Sequence, residues 1–230
     1  MAAGVVPTSS RDRSRASSSG DRALPRRDDE ARGRLQAVAA RAHPFVAAGE
    51  RRLRVAGLLG ELLPAGGVQR GSTVAVDGSP GSGSTTVALT LAAAATSAGE
   101  WAAVVDPDGT FGARAAFDAG VTLERCAVVR RVPHDRWATV VAALLDGVAL
   151  VAAAVPPGLR PGDARRLTAR ARERATVLVA LGPWPAEASL RLHVAPSAWS
   201  GLGAGDGLVA TRDVTLHVER KGMRVYSRAG

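Results

Sequence analysis

The chain has 230 residues and is 46% apolar, enough for one sizeable buried core and too apolar for a protein disordered throughout. Only 3% of it is aromatic, so that core must be built from Ala, Val and Leu, which suits an α/β sheet whose strands are buried on both faces. The formal charge of +9 rests almost wholly on arginine, since Lys221 is the only lysine, and reads either as the codon usage of a GC-rich genome or as the footprint of a polyanionic partner such as nucleic acid.

Residues 1–33 carry Ser17-Ser18-Ser19-Gly20 and Pro25-Arg26-Arg27-Asp28-Asp29-Glu30 and few large apolar side chains. Such a segment cannot bury enough surface to fold, and a disordered tail is expected. Met1 to Pro7 lacks the charged start and long apolar stretch of a secretory signal, and no uninterrupted apolar run reaches transmembrane length. A cytoplasmic protein without membrane contact is therefore expected. Leu35, Val38, Ala39 and Ala42 have the spacing of a short amphipathic helix that Pro44 ends. Residues 34–57 are expected to be a helical appendage and 58–230 one core domain. A second short helix is predicted over Val55 to Leu63, closed by Pro64-Ala65-Gly66-Gly67, and Thr73 to Val76 is the first sheet strand.

That strand runs straight into Gly78-Ser79-Pro80-Gly81-Ser82-Gly83-Ser84-Thr85, and Thr85 to Ala95 reads as a helix opening off the loop. This is the context and frame of a phosphate-binding P-loop, G-x-x-x-x-G-K-[ST], with Ser84 where the pattern requires Lys. The backbone N–H groups and helix N-terminus still favour an anion, but the cation that would meet the β- and γ-phosphates is gone. One ion pair at ~4 Å is worth roughly 1 kcal/mol in water and ~4 kcal/mol near a protein surface, and against a triphosphate the loss is larger. Gly78, Gly81, Gly83, Ser84 and Thr85 thus read as a vestigial nucleotide-binding loop, or as an ordinary strand-to-helix turn. A dinucleotide fingerprint fits less well, because Thr86 stands where its third glycine belongs. Binding of ATP with Mg²⁺ stays open, but hydrolysis of the ATP is not expected, and no cofactor is expected.

Alternation of strands and helices continues beyond the loop. Trp101 to Val105 is a buried strand ending in Asp106-Pro107-Asp108-Gly109, Phe111 to Ala119 a helix closed by Gly120, and Cys126 to Val129 a strand. Cys126, the lone cysteine, excludes a disulfide framework and reads as a buried small hydrophobe in a reducing compartment. Asp135 to Leu145 is a helix ended by Gly147, and Val148 to Val155 a buried strand. After Pro156-Pro157-Gly158, Asp163 is expected to cap an Arg-rich helix running to about Arg174, and Thr176 to Leu181 is a further strand. Strands and helices at this pitch imply a mostly parallel sheet. Leu190 to Val194, Leu208 to Ala210 and Val214 to Val218 read as short strands, the last turning through Glu219-Arg220-Lys221-Gly222 into Met223 to Ser227 as an antiparallel hairpin. Gly201-Leu202-Gly203-Ala204-Gly205-Asp206-Gly207 leads into a strand and reads as a long mobile turn, with Trp199 exposed or half-exposed beside it.

The carboxylate that would hold Mg²⁺ belongs at the end of a buried strand, and Ala152, Ala153 and Ala154 occupy that place. Asp146 precedes the strand and reads as surface or a helix end. Asp106 and Asp108 stand where open α/β sheets do chemistry and could orient a water, though Asp-Pro-Asp-Gly is also an ordinary turn with a helix cap. Arg166, Arg170 and Arg174 share one helix face and, with Arg160 on the preceding loop, form a basic ridge that is either solvated or a set of nucleic-acid contacts. His43, His134, His193 and His217 lack metal-ligand spacing, and no serine has a visible triad.

From Leu62 onward the chain resembles the RecA ATPase core. Leu63-Pro64-Ala65-Gly66-Gly67-Val68-Gln69-Arg70-Gly71-Ser72-Thr73 is similar to that family's lead-in to the P-loop strand, and Asp106-Pro107-Asp108 to its acidic turn, where Asp108 would match the catalytic Glu. Trp199-Ser200-Gly201-Leu202-Gly203-Ala204-Gly205-Asp206-Gly207-Leu208, then Arg212 and the hairpin, resembles the actinobacterial ImuA-type proteins, accessory factors of mutagenic repair. The resemblance implies a RecA-like mostly parallel sheet flanked by helices with C-terminal antiparallel strands. It also implies a non-catalytic scaffold in DNA-damage-induced translesion synthesis, part of the SOS response and associated with the nucleoid during repair. Its partners would be an ImuB-type Y-family polymerase homologue, an error-prone C-family polymerase and DNA. Filament formation is not expected, because Pro156 to Gly162 and Gly182 to Ser189 are short where RecA carries its DNA-binding loops. Two other readings stay open: a weak partner-stimulated ATPase borrowing an Arg such as Arg114, and a nucleic-acid-binding module using the helix over 163–174. Apolar candidates for a partner surface are Leu35 and the hairpin around Met223 and Val225.

Overall fold

Arg52-Leu53-Arg54 alternates polar and apolar residues and forms β1 (Arg52–Arg54) in the computed structural model, which describes residues 52–195, 198–200, 211–220 and 223–229. The expected tail over 1–33, the helix from Leu35 and the strand over Leu208 to Ala210 lie outside these residues. β1 pairs antiparallel with β2 (Gly67–Gln69), with Arg52 opposite Gln69, and between them lie α1 (Gly57–Leu62) and a 3₁₀ turn over Pro64–Gly66. Three-residue strands carry no periodicity, so only α1 of this group was legible locally. Gly60 is required where it is: a Cβ there would stand 1.9 Å from the Val55 carbonyl oxygen. Leu53 and Val55 are buried with the main core, so the core domain expected from residue 58 takes in residues from Arg52 onward.

Six strands make the parallel part of the main sheet: the inner four are rich in Val, Leu and Ala, as burial on both faces requires, whereas Leu190–Val194 alternates buried with less buried residues and Cys126–Arg130 lies half-buried at the edge. The six are β3 (Thr73–Gly78), β4 (Ala102–Asp106), β5 (Cys126–Arg130), β6 (Leu150–Ala154), β7 (Val177–Leu181) and β8 (Leu190–Val194). Three antiparallel strands follow: β9 (Ala198–Ser200), β10 (Thr211–Arg220) and β11 (Met223–Ala229). The sheet order is β11-β10-β8-β3-β7-β6-β4-β5, with β9 pairing to β10. β3 through β8 are parallel to one another, and β10 runs antiparallel to β8 and β11. The α/β class, mostly parallel sheet and C-terminal antiparallel strands are thus as the sequence implies, in an arrangement that matches a RecA-like one. Ala198–Ser200 had been assigned to no strand; pairing with Thr211–Asp213 makes β9, a partnership across a stretch that local reading cannot supply.

Helices cover the two faces. α2 (Ser84–Ser97) presents Ala88, Leu91, Ala92 and Ala95 to Val74, Val76, Leu150 and Val179, and its alanines permit the close approach that an aromatic-poor core needs. On the other face α4 (His134–Leu145) and α5 (Pro161–Arg174) pack Trp137, Val141, Leu145, Leu167 and Ala171 on Ala75, Val105, Val151 and Leu178. α3 (Ala113–Asp118) is one and a half turns long, because Phe111, expected to start it, is instead held through its N–H in the preceding turn. Pro161 opens α5 with Arg160 as its N-cap, so Asp163 sits inside the first turn and is not the cap that the sequence suggested; a proline at the first helical position loses no hydrogen bond.

Leu150 is fully buried at the centre of the sheet whereas Leu58 is 47% exposed. Leu150→Ala should cost about 2–5 kcal/mol and Leu58→Ala within about 0.5 kcal/mol in urea unfolding followed by circular dichroism.

Candidate functional site

The loop after β3 sits at the carboxyl end of the parallel strands, where open α/β sheets place their ligands. Ser79-Pro80-Gly81-Ser82 closes as a β-turn: the Ser82 N–H donates to the Ser79 carbonyl at 2.9 Å, with Gly81 at φ 78° following Pro80. Gly83, at φ 107°, is the N-cap of α2. Both glycines hold left-handed backbone that other residues adopt only at a cost. Ser84, at the position where the P-loop pattern has Lys, turns its hydroxyl inward. It shares a 3.0 Å hydrogen bond with the Ser82 hydroxyl, and Ser82 is buried. The two hydroxyls lie against the end of β3 so closely that a Cβ on Gly78 would stand 2.4 Å from the Ser82 Oγ and 2.7 Å from that of Ser84. The loop therefore satisfies part of its own polarity from within. Thr85 is exposed at the start of α2, whose first turn holds no acidic residue and no side-chain cap, so the weak anion preference of a helix N-terminus remains.

The neighbouring strand ends carry little that could serve phosphate chemistry. β6 ends in Ala152, Ala153 and Ala154, with Ala154 in register with Leu181 of β7. Asp106 is buried and engaged in its own turn: its carboxylate accepts from the Thr110 N–H at 2.9 Å, the Thr110 hydroxyl at 3.2 Å and the Phe111 N–H at 2.9 Å, with the Arg130 Nε 3.5 Å away. Burial alone would raise its pKa, but these donors and the Arg130 charge together hold it below the usual value near 3.8. Of the two readings of Asp-Pro-Asp-Gly, this geometry is that of a turn. Asp108 is exposed beside it. Among the described residues no group of three or more His, Cys, Asp or Glu is placed to hold a metal ion.

One polar pair beside the loop was not legible. Asp77, the last side chain before Gly78, meets His193 Nδ1 at 2.5 Å, and His193 lies 6.0 Å, ring to ring, from His217. Cross-strand register makes the group, because Asp77 pairs with His193 and His193 with His217. It joins positions 116 residues apart, for which local sequence has no signal.

The basic ridge on α5 is partly neutralised. Arg170 clamps Asp146 at 2.8 and 2.5 Å and Arg174 meets the same carboxylate at 3.0 Å, while Arg166 stands 3.4 Å from Asp163. Asp146, expected to be a surface or helix-end residue, ties the end of α4 to α5; the Arg170 guanidinium, against a smaller effect of burial, lowers its pKa. Arg160 is exposed on the loop before the helix. The four candidate nucleic-acid contacts therefore do not act as one free ridge. Cys126 is half-buried and burial raises its thiol pKa, in keeping with an inert packing role. No described helix is long and apolar enough to cross a membrane.

Both lowered carboxylates stabilise the fold above the ordinary carboxylate pKa, and that contribution is lost as pH falls from about 4 through their depressed folded values. Asp106→Asn should cost about 1–3 kcal/mol at pH 7 and flatten the loss of stability below pH 4, read by urea unfolding across a pH series.

A comparison with curated proteins finds no match. The family model of the MT3502 N-terminal domain matches residues 61–186, from the end of α1 past β7, and so takes in the loop, the Asp106 turn, the alanine-ended β6 and α5. The match covers more than half of the chain, which belongs to the MT3502 N-terminal domain family.

Proposed function

We propose that this protein is a RecA-like, ImuA-type accessory factor that works by binding, not by nucleotide hydrolysis, in damage-induced translesion synthesis. The observation that carries the reading is the loop. It joins a parallel strand to a helix through left-handed Gly81 and Gly83, with Ser84 at the position of the pattern's Lys folding its hydroxyl onto Ser82 and Gly78, which supports a degenerate P-loop. Ala152 to Ala154 in the place of a metal carboxylate, and an Asp106 saturated by its own turn, support the same reading. Membership of the MT3502 N-terminal domain family, which is ImuA-like, supports the assignment to mutagenic repair. The partner is an ImuB-type Y-family polymerase homologue, with an error-prone C-family polymerase and DNA in the same assembly. A binding role is helped by the apolar side chains of Phe117 and Leu123, 63% and 37% exposed, on α3 and the turn before the edge strand β5. The rival reading of a partner-stimulated ATPase gains nothing from Arg114, which lies 2.9 Å from Asp118 on the exposed face of α3.

Size-exclusion chromatography with the ImuB-type partner should give a stable complex whether or not ATP and Mg²⁺ are added, and phosphate release by that complex should stay at background. Hydrolysis that disappears in Thr85→Ala would overturn the non-catalytic reading, and failure of the two proteins to co-elute would overturn the partner assignment.

A further inference from the structure

At the opposite end of β3 from the loop, a cavity of about 520 Å³ opens between the start of β8, the C-terminal part of α5 and the β1–β2 hairpin. A strand of six residues separates the two places, on the order of 17–20 Å. Three guanidinium groups line the cavity, Arg52 from β1, Arg172 from α5 and Arg220 from the end of β10, against one carboxylate, Glu187. They converge from positions up to 168 residues apart in a chain of 230. The convergence has a structural cause. Arg220 pairs in register with Leu190, which brings the end of antiparallel β10 to the start of β8. The backbone of α5 at Arg172 passes so close to Gly71 that a Cβ there would stand 3.2 Å from the Arg172 Cα. On α5, Arg172 also points away from the Asp146 cluster that holds Arg170 and Arg174.

The state of these groups bears on what they could hold. Arg52 is pinned to the wall by donating from Nη1 to the Pro64 carbonyl at 3.0 Å. Among the described residues the side chains of Arg172 and Arg220 have neither a hydrogen-bond nor an ion-pair partner, so both forks remain open to an acceptor. Ser72 spends its hydroxyl proton on the Gln69 carbonyl at 2.6 Å, whereas Thr168, which accepts from the Thr73 hydroxyl at 3.3 Å, keeps its own proton to donate. The rest of the wall includes Val68 and Leu190, both buried apolar residues.

From this juxtaposition we infer that the cavity is a binding site for an organic phosphate monoester of about nucleotide size. Three guanidinia call for an anion with more than one charge and several acceptor oxygens; planar forks match carboxylate and phosphate alike, and a phosphate monoester brings more than one charge and several oxygens in a single group. The volume lies in the range of roughly 300–1,000 Å³ found for small-molecule pockets, more than a bare phosphate fills, and the apolar wall suits the organic part. The site is independent of the vestigial loop and of the proposed repair role.

The test titrates the full chain with adenosine monophosphate by calorimetry at low salt, beside Arg172→Ala, Arg172→Lys and, as a control on the outer face of α5, Arg165→Ala. Thermal unfolding checks that each variant folds. The expected result is saturable binding that weakens about tenfold or more in Arg172→Ala, less in Arg172→Lys and not in Arg165→Ala, with inorganic phosphate binding more weakly than the ester. Absence of binding at millimolar ligand, binding that survives Arg172→Ala, or inorganic phosphate binding as tightly as the ester would each overturn the assignment. So would tighter, Arg172-dependent binding of a single-stranded oligonucleotide lacking terminal phosphates, which would make the cavity part of a nucleic-acid track.

Discussion

One constraint orders the described core: the middle of the sheet is dry on both sides. Val74, Val76, Leu150, Val177, Leu178 and Val179 are fully buried, with α2 above and α4 and α5 below. Each such side chain contributes about 1.5–3 kcal/mol by leaving water, and none of these positions could carry a charge without losing more than that. With only 3% aromatic residues, the core reaches its density through alanine, which lets helix and sheet backbones approach closely. Polar groups at the sheet consequently gather at the strand ends, while others pair on the helices, as Asp146 does with Arg170 and Arg174. The glycine loop, the Asp106 turn and the Asp77–His193 pair lie at the carboxyl end, and the arginine-lined cavity lies at the other.

That constraint also explains why the glycine-rich loop can stand whether or not it holds a phosphate. The path from a buried parallel strand into α2 needs left-handed backbone at Gly81 and Gly83 and an open space over Gly78, whatever the loop binds. Ser84 offers no cation to a triphosphate, and the hydroxyls of Ser82 and Ser84 fill the place over Gly78 and bond to each other. The glycines are then kept by folding alone. A protein with this loop can still use the RecA-like sheet as a rigid platform, and the proposed scaffold role asks for no more.

Reading the sequence recovered what is local. Apolar runs gave every central strand, and glycine, proline and helix periodicity gave the helices to within a few residues. The glycine-rich frame of the loop and the Ser at position 84 were visible directly. What escaped depends on partners distant in the chain. β1 and β2 are too short to carry a pattern and exist because they pair with each other. Arg170 and Arg174 looked like a free basic ridge because Asp146, 24 and 28 residues back, gives no sign from its neighbours that it faces them. Arg52, Arg172 and Arg220 looked unrelated for the same reason, and only the antiparallel return of β10 and the approach of α5 to Gly71 bring them to one cavity. Asp163 misled in a different way: it has the chemistry of a helix cap, but Pro161 had already begun the helix.

The most direct measurement is a calorimetric titration of the protein with ATP and Mg²⁺ beside Ser84→Lys and Arg172→Ala, the last to separate the loop from the cavity. The account predicts that the Arg172→Ala protein shows no saturable binding below the millimolar range and that Ser84→Lys gains some, because the restored cation would meet the phosphates over an otherwise intact loop. Micromolar binding that persists in Arg172→Ala would contradict it, since the loop would then hold a triphosphate without its Lys.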